Sequence, residues 1–264
     1  MLKMIKKPIE EMGLNFIPDE FLPVGKDEYF LRNNNIQDLD RFRKLHADEI
    51  EVLVKNGNVA DDWGNIHVTE FFNPKLVKRC KFHGLVRIGK LENYYLEYHD
   101  LKVSVGLYDS TIVACDFGDN VSINKVSYLA HYQIQDEVIL FNIKEMITTS
   151  VAKFGNGILR DGESESSRIE IELGNENGGR SVLPFNGILP SDIALWYKYK
   201  GDQELQKKFR EFTLNKYDTY RGHYGIVGSG SIVKNCSIIK DVKFGESVYI
   251  KGCLLYTSPS PRDA

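Results

Sequence analysis

The 264-residue sequence predicts a mainly β fold, a triangular β-solenoid to which helices have been added. Four apolar residues near the end of the chain are spaced six residues apart: Ile232, Ile238, Phe244 and Ile250. The segment 117–121 (FGDNV) is echoed seventeen residues later by the segment 134–138 (IQDEV). Six residues form about one side of a triangular coil, so three sides make a turn of about eighteen residues. The spacing therefore predicts aliphatic residues stacked inside a prism.

The sequence divides into five predicted parts. Residues 1–75 form an N-terminal extended and helical segment, and residues 76–187 form the solenoid with a polar hairpin. Residues 188–222 form a helical insertion, and residues 223–252 resume the six-residue repeat. Residues 253–264 resemble the translation of a sequencing-library adapter, so we exclude them from the fold and from the native cysteines.

Helical spacing appears in two places. Between residues 37 and 55 the apolar residues follow a helical period that predicts two short helices, which Gly57 ends. Between Ser191 and about Tyr220 the period is helical again, with Ser191 as the expected N-cap and Gly201 dividing two helices. Trp63 and Trp196 are interpreted as packing residues.

Composition excludes several classes of protein. Thirty-four Lys and Arg residues against 37 Asp and Glu residues give a net charge of −3, which argues against a nucleic-acid-binding surface. The four cysteines form no CxxC pair, so neither a disulfide framework nor a zinc site is expected. We also find no apolar run of membrane-spanning length, secretory signal, Walker A loop or nucleophile elbow, and we expect a cytoplasmic protein.

Several blocks of sequence resemble a known family. They are Phe21–Tyr29 (FLPVGKDEY), Ala60–Trp63 (ADDW), Gly84–Gly89 (GLVRIG), Ala152–Gly157 (AKFGNG) and Asn175–Arg180 (NENGGR). The chain is similar, from about residue 16 to residue 252, to a bacterial family described only as a domain of unknown function, DUF4954. The repeats also resemble the hexapeptide-repeat (LpxA-like) superfamily, which implies a left-handed parallel β-helix. That superfamily contains many acyltransferases and sugar-nucleotide enzymes, commonly trimers, so a homo-oligomer is expected from the resemblance alone.

His131 is the first candidate for chemistry. In related acyltransferases a histidine of the coil is the general base that deprotonates a sugar hydroxyl or amine, and the resemblance implies that role here. Glu145, which lies less than one coil later, is the candidate partner acid. The alternative is a histidine that only bonds a backbone carbonyl at a corner.

A polar, glycine-rich region is the second candidate. Glycines near lysine and arginine expose backbone N–H groups beside cations, which suits a phosphate or carboxylate. The predicted ligand-binding residues are Lys153, Asn156, Glu163, Arg168, Glu176, Asn177 and Arg180. The alternative is a solvated salt-bridge network around two turns. A third segment, 221–225 (RGHYG), places His223 where the repeats restart, and we interpret its glycines as a junction.

Two functions follow from these observations. The first is a transferase that acts on a sugar or sugar nucleotide, with acyl-CoA or a UDP-sugar as candidate substrate and no certain cofactor. The second is a non-catalytic solenoid that binds a carbohydrate or nucleotide, or that scaffolds an assembly. The sequence contains no metal-ligand spacing among its histidines.

Overall fold

A computed structural model describes most of the chain. The described residues are 4–19, 22, 24–33, 36, 38–152, 154, 168, 170–173, 181–185, 187–216, 223–252 and 255–256. The helices are α1 (Glu28–Asn33), α2 (Ala47–Lys55), α3 (Pro190–Lys198) and α4 (Gln203–Lys216). The strands are β1 (Phe42–Lys44), β2 (Val59–Ala60), β3 (Ile66–Thr69), β4 (Val77–Lys78), β5 (Lys81–His83), β6 (Val86–Ile88), β7 (Tyr95–Tyr98), β8 (Leu101–Ser104), β9 (Gly106–Tyr108), β10 (Thr111–Val113), β11 (Asp116–Phe117), β12 (Ser122–Ala130), β13 (Tyr132–Ile134), β14 (Ile139–Ile147), β15 (Ile171–Glu172), β16 (Ser181–Val182), β17 (Gly225–Val227), β18 (Ile232–Lys240), β19 (Tyr249–Lys251) and β20 (Leu255–Tyr256).

The predicted fold class, a mainly β, left-handed β-helix, is wrong. The architecture is mixed α/β, with a six-stranded sheet in the order β1-β3-β6-β11-β13-β17 and a second, ten-stranded sheet. Most strand pairs are parallel, but β1 pairs antiparallel with β3, β7 with β8, and β15 with β16. These antiparallel pairs and the helices do not fit a uniform repeat. The spacing of a few apolar residues gave no indication of them.

The seventeen-residue echoes do have a structural counterpart. Phe117 of β11 lies opposite Ile134 of β13 in parallel register, and Val227 is bridged in parallel to Phe244. Each pair is separated by the spacing seen in the sequence. The echoes therefore mark residues that are neighbours on adjacent parallel strands.

Contacts divide the chain into two compact units. Unit 1 contains residues 1–16, 32–152 and 224–264, and unit 2 contains residues 17–31 and 153–223. Both large sheets belong to unit 1, whereas β15, β16, α3 and α4 belong to unit 2. The domain boundaries predicted from sequence stay predictions.

The six-residue spacing predicts four residues that face the core, and at two of these positions the residue does not lie in the main core. Ile238 is 37% exposed, and Ile232 packs in a small cluster with Val103 and Ile139 outside the main core. Their neighbours Val233 and Ile239 are fully buried in the main core instead. Successive residues of a strand point to opposite faces of the sheet. A prediction that is shifted by one residue therefore assigns to the core the side chains that face away from it.

Two local predictions in the N-terminal half had different outcomes. Helix α2 is confirmed, and Gly57 follows it with φ +77°, in the left-handed region that glycine tolerates. The helix expected just before α2 is a strand, because β1 pairs with β3. The pairing of Phe42 with Thr69 overrides the local helical period.

The helical insertion is confirmed as two helices, α3 and α4, on either side of Gly201. Ser191 is not the N-cap, because α3 begins at Pro190 with Leu189 as its cap residue. The Asp192 carboxylate accepts a hydrogen bond from the Leu189 backbone N–H at 2.8 Å. Trp196 is buried as expected and packs against Phe209, with ring centroids 5.5 Å apart.

Glycines follow several core residues because the neighbouring strand lies too close for a side chain. A Cβ on Gly228 would lie 2.4 Å from the carbonyl carbon of Gly245. A Cβ on Gly118 would lie 2.3 Å from the Asp136 carboxylate. Neither glycine has a positive φ, so close packing and not backbone conformation requires it.

We expect Gly228→Ala to lower the free energy of unfolding by about 1–3 kcal/mol, because the added methyl group overlaps a backbone that cannot move freely. Gly245→Ala is the matched control: the nearest atom to its Cβ, in Val248, is 4.0 Å away. We expect that variant to change stability by less than about 0.5 kcal/mol. Urea unfolding measures both values. Equal losses in the two variants would contradict the packing explanation.

Candidate functional site

A row of polar residues crosses the six-stranded sheet of unit 1. His67 of β3 lies opposite Arg87 of β6, and Arg87 lies opposite Asp116 of β11. Asp116 in turn lies opposite Gln133 of β13. The next residue along each of the four strands is buried in the core: Val68, Ile88, Phe117 and Ile134. Because side chains alternate along a strand, the polar row lies on the face away from the core.

Asp116, which belongs to this row, forms a buried ion pair with Arg32. Asp116 accepts hydrogen bonds from Arg32 Nε at 2.8 Å and from Arg32 Nη2 at 2.6 Å. The Arg32 side chain is 0% exposed and that of Asp116 is 8% exposed. Burial opposes the charge of Arg32, but the charge and hydrogen bonds of Asp116 outweigh it and hold the Arg32 pKa above its ordinary value.

Three further residues complete the ion-pair cluster, which comprises Arg32, Asn33, Arg87, Asp116 and Gln133. Arg87 donates to Asp116 at 3.3 Å and to the Asn33 side-chain oxygen at 2.7 Å. The Gln133 amide donates to Asp116 at 3.1 Å and to the Arg32 carbonyl at 2.9 Å. Burial lowers the pKa of Arg87, although Asp116 partly offsets that effect. Asp116 is therefore a structural carboxylate held by four hydrogen bonds.

A cavity of about 450 Å³ opens next to this cluster and is lined in part by Asp116 and Gln133. We call it the groove. The side chains that give it chemical character are Asp38, Arg41, Phe42, Gln135, Asp136, Ile226, Ser229 and Glu246. Asp116 is fully engaged in the cluster, so the exposed residues of the groove are the ones that can meet a ligand.

Two of these residues are held in place by backbone groups. The Gln135 side-chain oxygen accepts hydrogen bonds from the Ser229 backbone N–H at 3.1 Å and from its hydroxyl at 3.4 Å. This orients the Gln135 NH₂ group as a donor. One Asp136 oxygen accepts the Asp119 backbone N–H at 2.7 Å, which leaves its second oxygen as an acceptor. The groove thus presents an oriented donor beside an oriented acceptor.

The groove carries a net negative charge. Asp38, Asp136 and Glu246 are exposed carboxylates that line it. Arg41, the one cation among the described lining residues, is ion-paired with Asp119 and lies over the Phe42 ring at 5.2 Å from its centroid. A phosphate or carboxylate would therefore be repelled, whereas hydroxyl or ammonium groups would be accepted.

His131 is largely buried, and it is not among the residues that line the groove. Its ring stacks on Phe16 with centroids 3.8 Å apart, and Nδ1 lies 3.1 Å from the Thr148 carbonyl. Nδ1 therefore carries the proton and donates it to that carbonyl. Burial lowers the pKa of His131 to about 4, so the ring is neutral at pH 7.

The partner acid proposed for His131 lies on β14, whereas His131 lies between β12 and β13. Glu145 of β14 is opposite Tyr128 of β12 and is half-buried. No hydrogen bond or ion pair joins Glu145 to His131 in the part of the chain that the structure describes. The catalytic roles of His131 and Glu145 stay predictions.

Most of the predicted anion site lies outside the described residues. These are Lys153, Asn156, Glu163, Glu176, Asn177 and Arg180. Arg168 is described, and its charge helps Arg210 to lower the pKa of Glu170 in unit 2. The predicted site is therefore not tested.

A second cavity, also about 450 Å³, lies in unit 2 between α3 and α4. It is lined mainly by aromatic and aliphatic side chains, among them Trp196, Phe209 and Phe212. Its few polar groups include Asp192, which already caps α3. Specific ligand sites need convergent polar groups, so the groove of unit 1 is the stronger candidate.

Sequence reasoning missed the ion-pair cluster and the groove. Arg32 lies 84 residues before Asp116, and nothing in the local sequence marks one as the partner of the other. The groove had one signal, because Gln135 and Asp136 belong to a seventeen-residue echo. That signal was used for the fold and not for a site.

Comparison with known proteins identifies the family. Residues 42–260 match the model of a family described as a domain of unknown function, DUF4954. The chain belongs to the DUF4954 family. The DUF4954 resemblance predicted from sequence is thus confirmed, whereas the comparisons do not support the hexapeptide-repeat superfamily or a transferase. The match extends into residues 253–264, where the adapter interpretation stays a prediction.

One curated relative of this DUF4954 chain comes from Treponema pallidum (strain Nichols) and is described as an uncharacterized protein. It is 42% identical over 245 residues, which cover 92% of this chain and 34% of the relative. The DUF4954 chain therefore spans about a third of the relative's length. No solved structure matches.

Two features are absent from the described residues. No group of three or more His, Cys, Asp or Glu residues there is arranged to hold a metal ion. No helix there combines the length and the apolar character needed to cross a bilayer.

Proposed function

We propose that unit 1 of this DUF4954 chain binds a carbohydrate in the groove. The observation that carries the proposal is the fixed pair of Gln135 and Asp136, an oriented donor and an oriented acceptor in a cavity of about 450 Å³. A sugar hydroxyl both donates and accepts hydrogen bonds. Adjacent hydroxyls of a sugar ring can therefore bond to both residues together.

The other groove residues support the same class of ligand. Hydroxyl groups that donate to carboxylates form short, charge-assisted hydrogen bonds, and Asp38 and Glu246 provide further acceptors. Phe42 and Ile226 add apolar surface on which the C–H face of a sugar can pack. A few polar groups on an apolar wall are typical of small-molecule sites.

Charge decides between carbohydrates and nucleotides. The groove carboxylates disfavour the diphosphate of a UDP-sugar and the phosphates of acyl-CoA. We therefore expect neutral oligosaccharides or amino sugars to bind more tightly than either phosphate-bearing ligand. The transferase predicted from sequence has no supporting observation, because His131 is half-buried and does not line the groove.

Isothermal titration calorimetry with a panel of neutral oligosaccharides, amino sugars, UDP-sugars and acyl-CoA tests the proposal. For the sugar that binds, we expect Glu246→Gln to weaken affinity about tenfold or more, since hydrogen bonds to charged groups contribute about 1.5–3 kcal/mol. We expect Gln135→Ala to weaken affinity about two- to tenfold, since hydrogen bonds between neutral groups contribute about 0.5–1.5 kcal/mol. Glu97→Gln is the matched control for Glu246→Gln. Glu97 is an exposed carboxylate on β7 that pairs with Lys102, and it does not line the groove.

Two outcomes would contradict carbohydrate binding in the groove. One is the absence of binding by any saccharide, with or without tight binding of a phosphate-bearing ligand. The other is saccharide binding that Gln135→Ala and Glu246→Gln leave as unchanged as Glu97→Gln does. Turnover of acyl-CoA that is lost in His131→Ala would instead favour the transferase.

A further inference from the structure

The ion-pair cluster contains more positive than negative charge. Arg32 and Arg87 supply two guanidinium groups, and Asp116 supplies the one carboxylate bonded to them in the described part of the chain. All three side chains are less than one-tenth exposed. A buried charge is costly unless it is paired, and one positive charge here has no compensating carboxylate among the described residues.

The titratable groups that the structure describes beside the cluster do not supply the missing charge. His67 lies beside Arg87, and burial together with Arg87 lowers its pKa, which keeps the ring neutral. Burial raises the pKa of Cys115 to about 12, so this thiol is also neutral. The Tyr224 ring lies 5.3 Å from the Arg32 guanidinium, a cation–π contact that adds no formal negative charge.

One buried hydrogen-bond donor of the cluster has no partner among the described residues. Arg32 Nη1 is buried and has no hydrogen-bond partner among the described residues, although the other two nitrogens of the guanidinium are bonded to Asp116. An unsatisfied buried group of this kind indicates a bound water molecule or ion. The excess charge of the cluster favours the ion.

We propose that the ion-pair cluster binds a small anion, of the size of chloride or formate, at Arg32 Nη1. The anion accepts a hydrogen bond from Nη1 and neutralises the excess guanidinium charge. The proposed anion contacts Arg32, and neither Arg32 nor Arg87 lines the groove, although Asp116 and Gln133 of the cluster do. The anion site therefore does not rest on the proposed carbohydrate function.

Thermal unfolding at constant ionic strength tests the anion site. Chloride, bromide and formate each replace isethionate, an anion too bulky for a buried site. We expect the midpoint temperature to rise by about 3–5 °C for each tenfold increase in a small anion above its dissociation constant. Isethionate alone should produce no such rise.

Asn33→Asp provides a second, sharper readout. Its side-chain oxygen already accepts from Arg87 at 2.7 Å, so the aspartate supplies the missing negative charge in nearly the same shape. We expect the variant to have a higher midpoint than the wild type in isethionate and to lose at least three-quarters of the small-anion response. Asn235→Asp is the matched control, since its side-chain oxygen accepts from Asn142 at 2.8 Å at an exposed position. It should keep the full response.

The proposal is overturned if chloride, bromide and formate stabilise no more than isethionate does. It is also overturned if Asn33→Asp lowers the midpoint in isethionate, or if it keeps the wild-type anion response. The absence of any small-anion effect would assign a water molecule to Arg32 Nη1.

Discussion

Asp116→Asn is expected to lower the free energy of unfolding by about 3–5 kcal/mol. The change keeps the size of the side chain but removes the carboxylate that pairs with Arg32 and Arg87. Two buried guanidinium groups then lose the carboxylate that is bonded to both of them. Urea unfolding followed by circular dichroism measures the loss.

Asp109→Asn is the matched control for this prediction. Asp109 also forms a two-point ion pair, accepting from Arg79 at 2.5 Å and 2.8 Å, but that pair lies at the surface. Exposed pairs contribute about 0–1 kcal/mol. Similar losses in Asp116→Asn and Asp109→Asn would show that burial does not make the cluster important.

Stability is expected to fall as the pH decreases from about 6.5 to about 4, because His131 must become charged in a buried site. Burial lowers the pKa of His131 from 6.5 to about 4, so the unfolded chain binds this proton more readily than the folded chain. The contribution is complete above pH 6.5 and is lost as the pH approaches 4. The shift corresponds to about 3 kcal/mol.

His131→Asn should flatten this part of the pH profile, whatever its effect on stability at pH 7. Asparagine tolerates the left-handed backbone of this position, where φ is +57°. His99→Asn is the matched control, because His99 is exposed and also has a positive φ of +52°. A profile that His131→Asn leaves as steep as His99→Asn does would refute the buried neutral histidine.

The sequence predicted local pairing in the fold better than the overall class. The echo of Phe117 in Ile134 marked true neighbours on parallel strands. The class failed because spacing alone does not report the antiparallel pair of β7 and β8, nor which residue of a pair such as Ile238 and Ile239 faces inward. That choice depends on packing partners that are distant in the sequence.

The candidate site was beyond sequence reasoning for a similar reason. His131 was predicted to be a general base from the resemblance to acyltransferases, and the structure shows its ring donating to the Thr148 carbonyl, as the alternative interpretation expected. The ion-pair cluster depends on Arg32, which reaches Asp116 only through the tertiary fold. The groove combines residues from 36 to 246, so no single motif could reveal it.

Carbohydrate binding in the groove is tested most directly by methyl NMR of the isoleucine-labelled chain during titration with the saccharide panel. Ile36 and Ile226 line the groove, whereas Ile143 lies in the main core. The account predicts saturable shifts of the Ile36 and Ile226 methyl signals with at least one saccharide, while the Ile143 signal stays in place. No shift with any saccharide, or saturable shifts confined to isoleucines outside the groove, would contradict it.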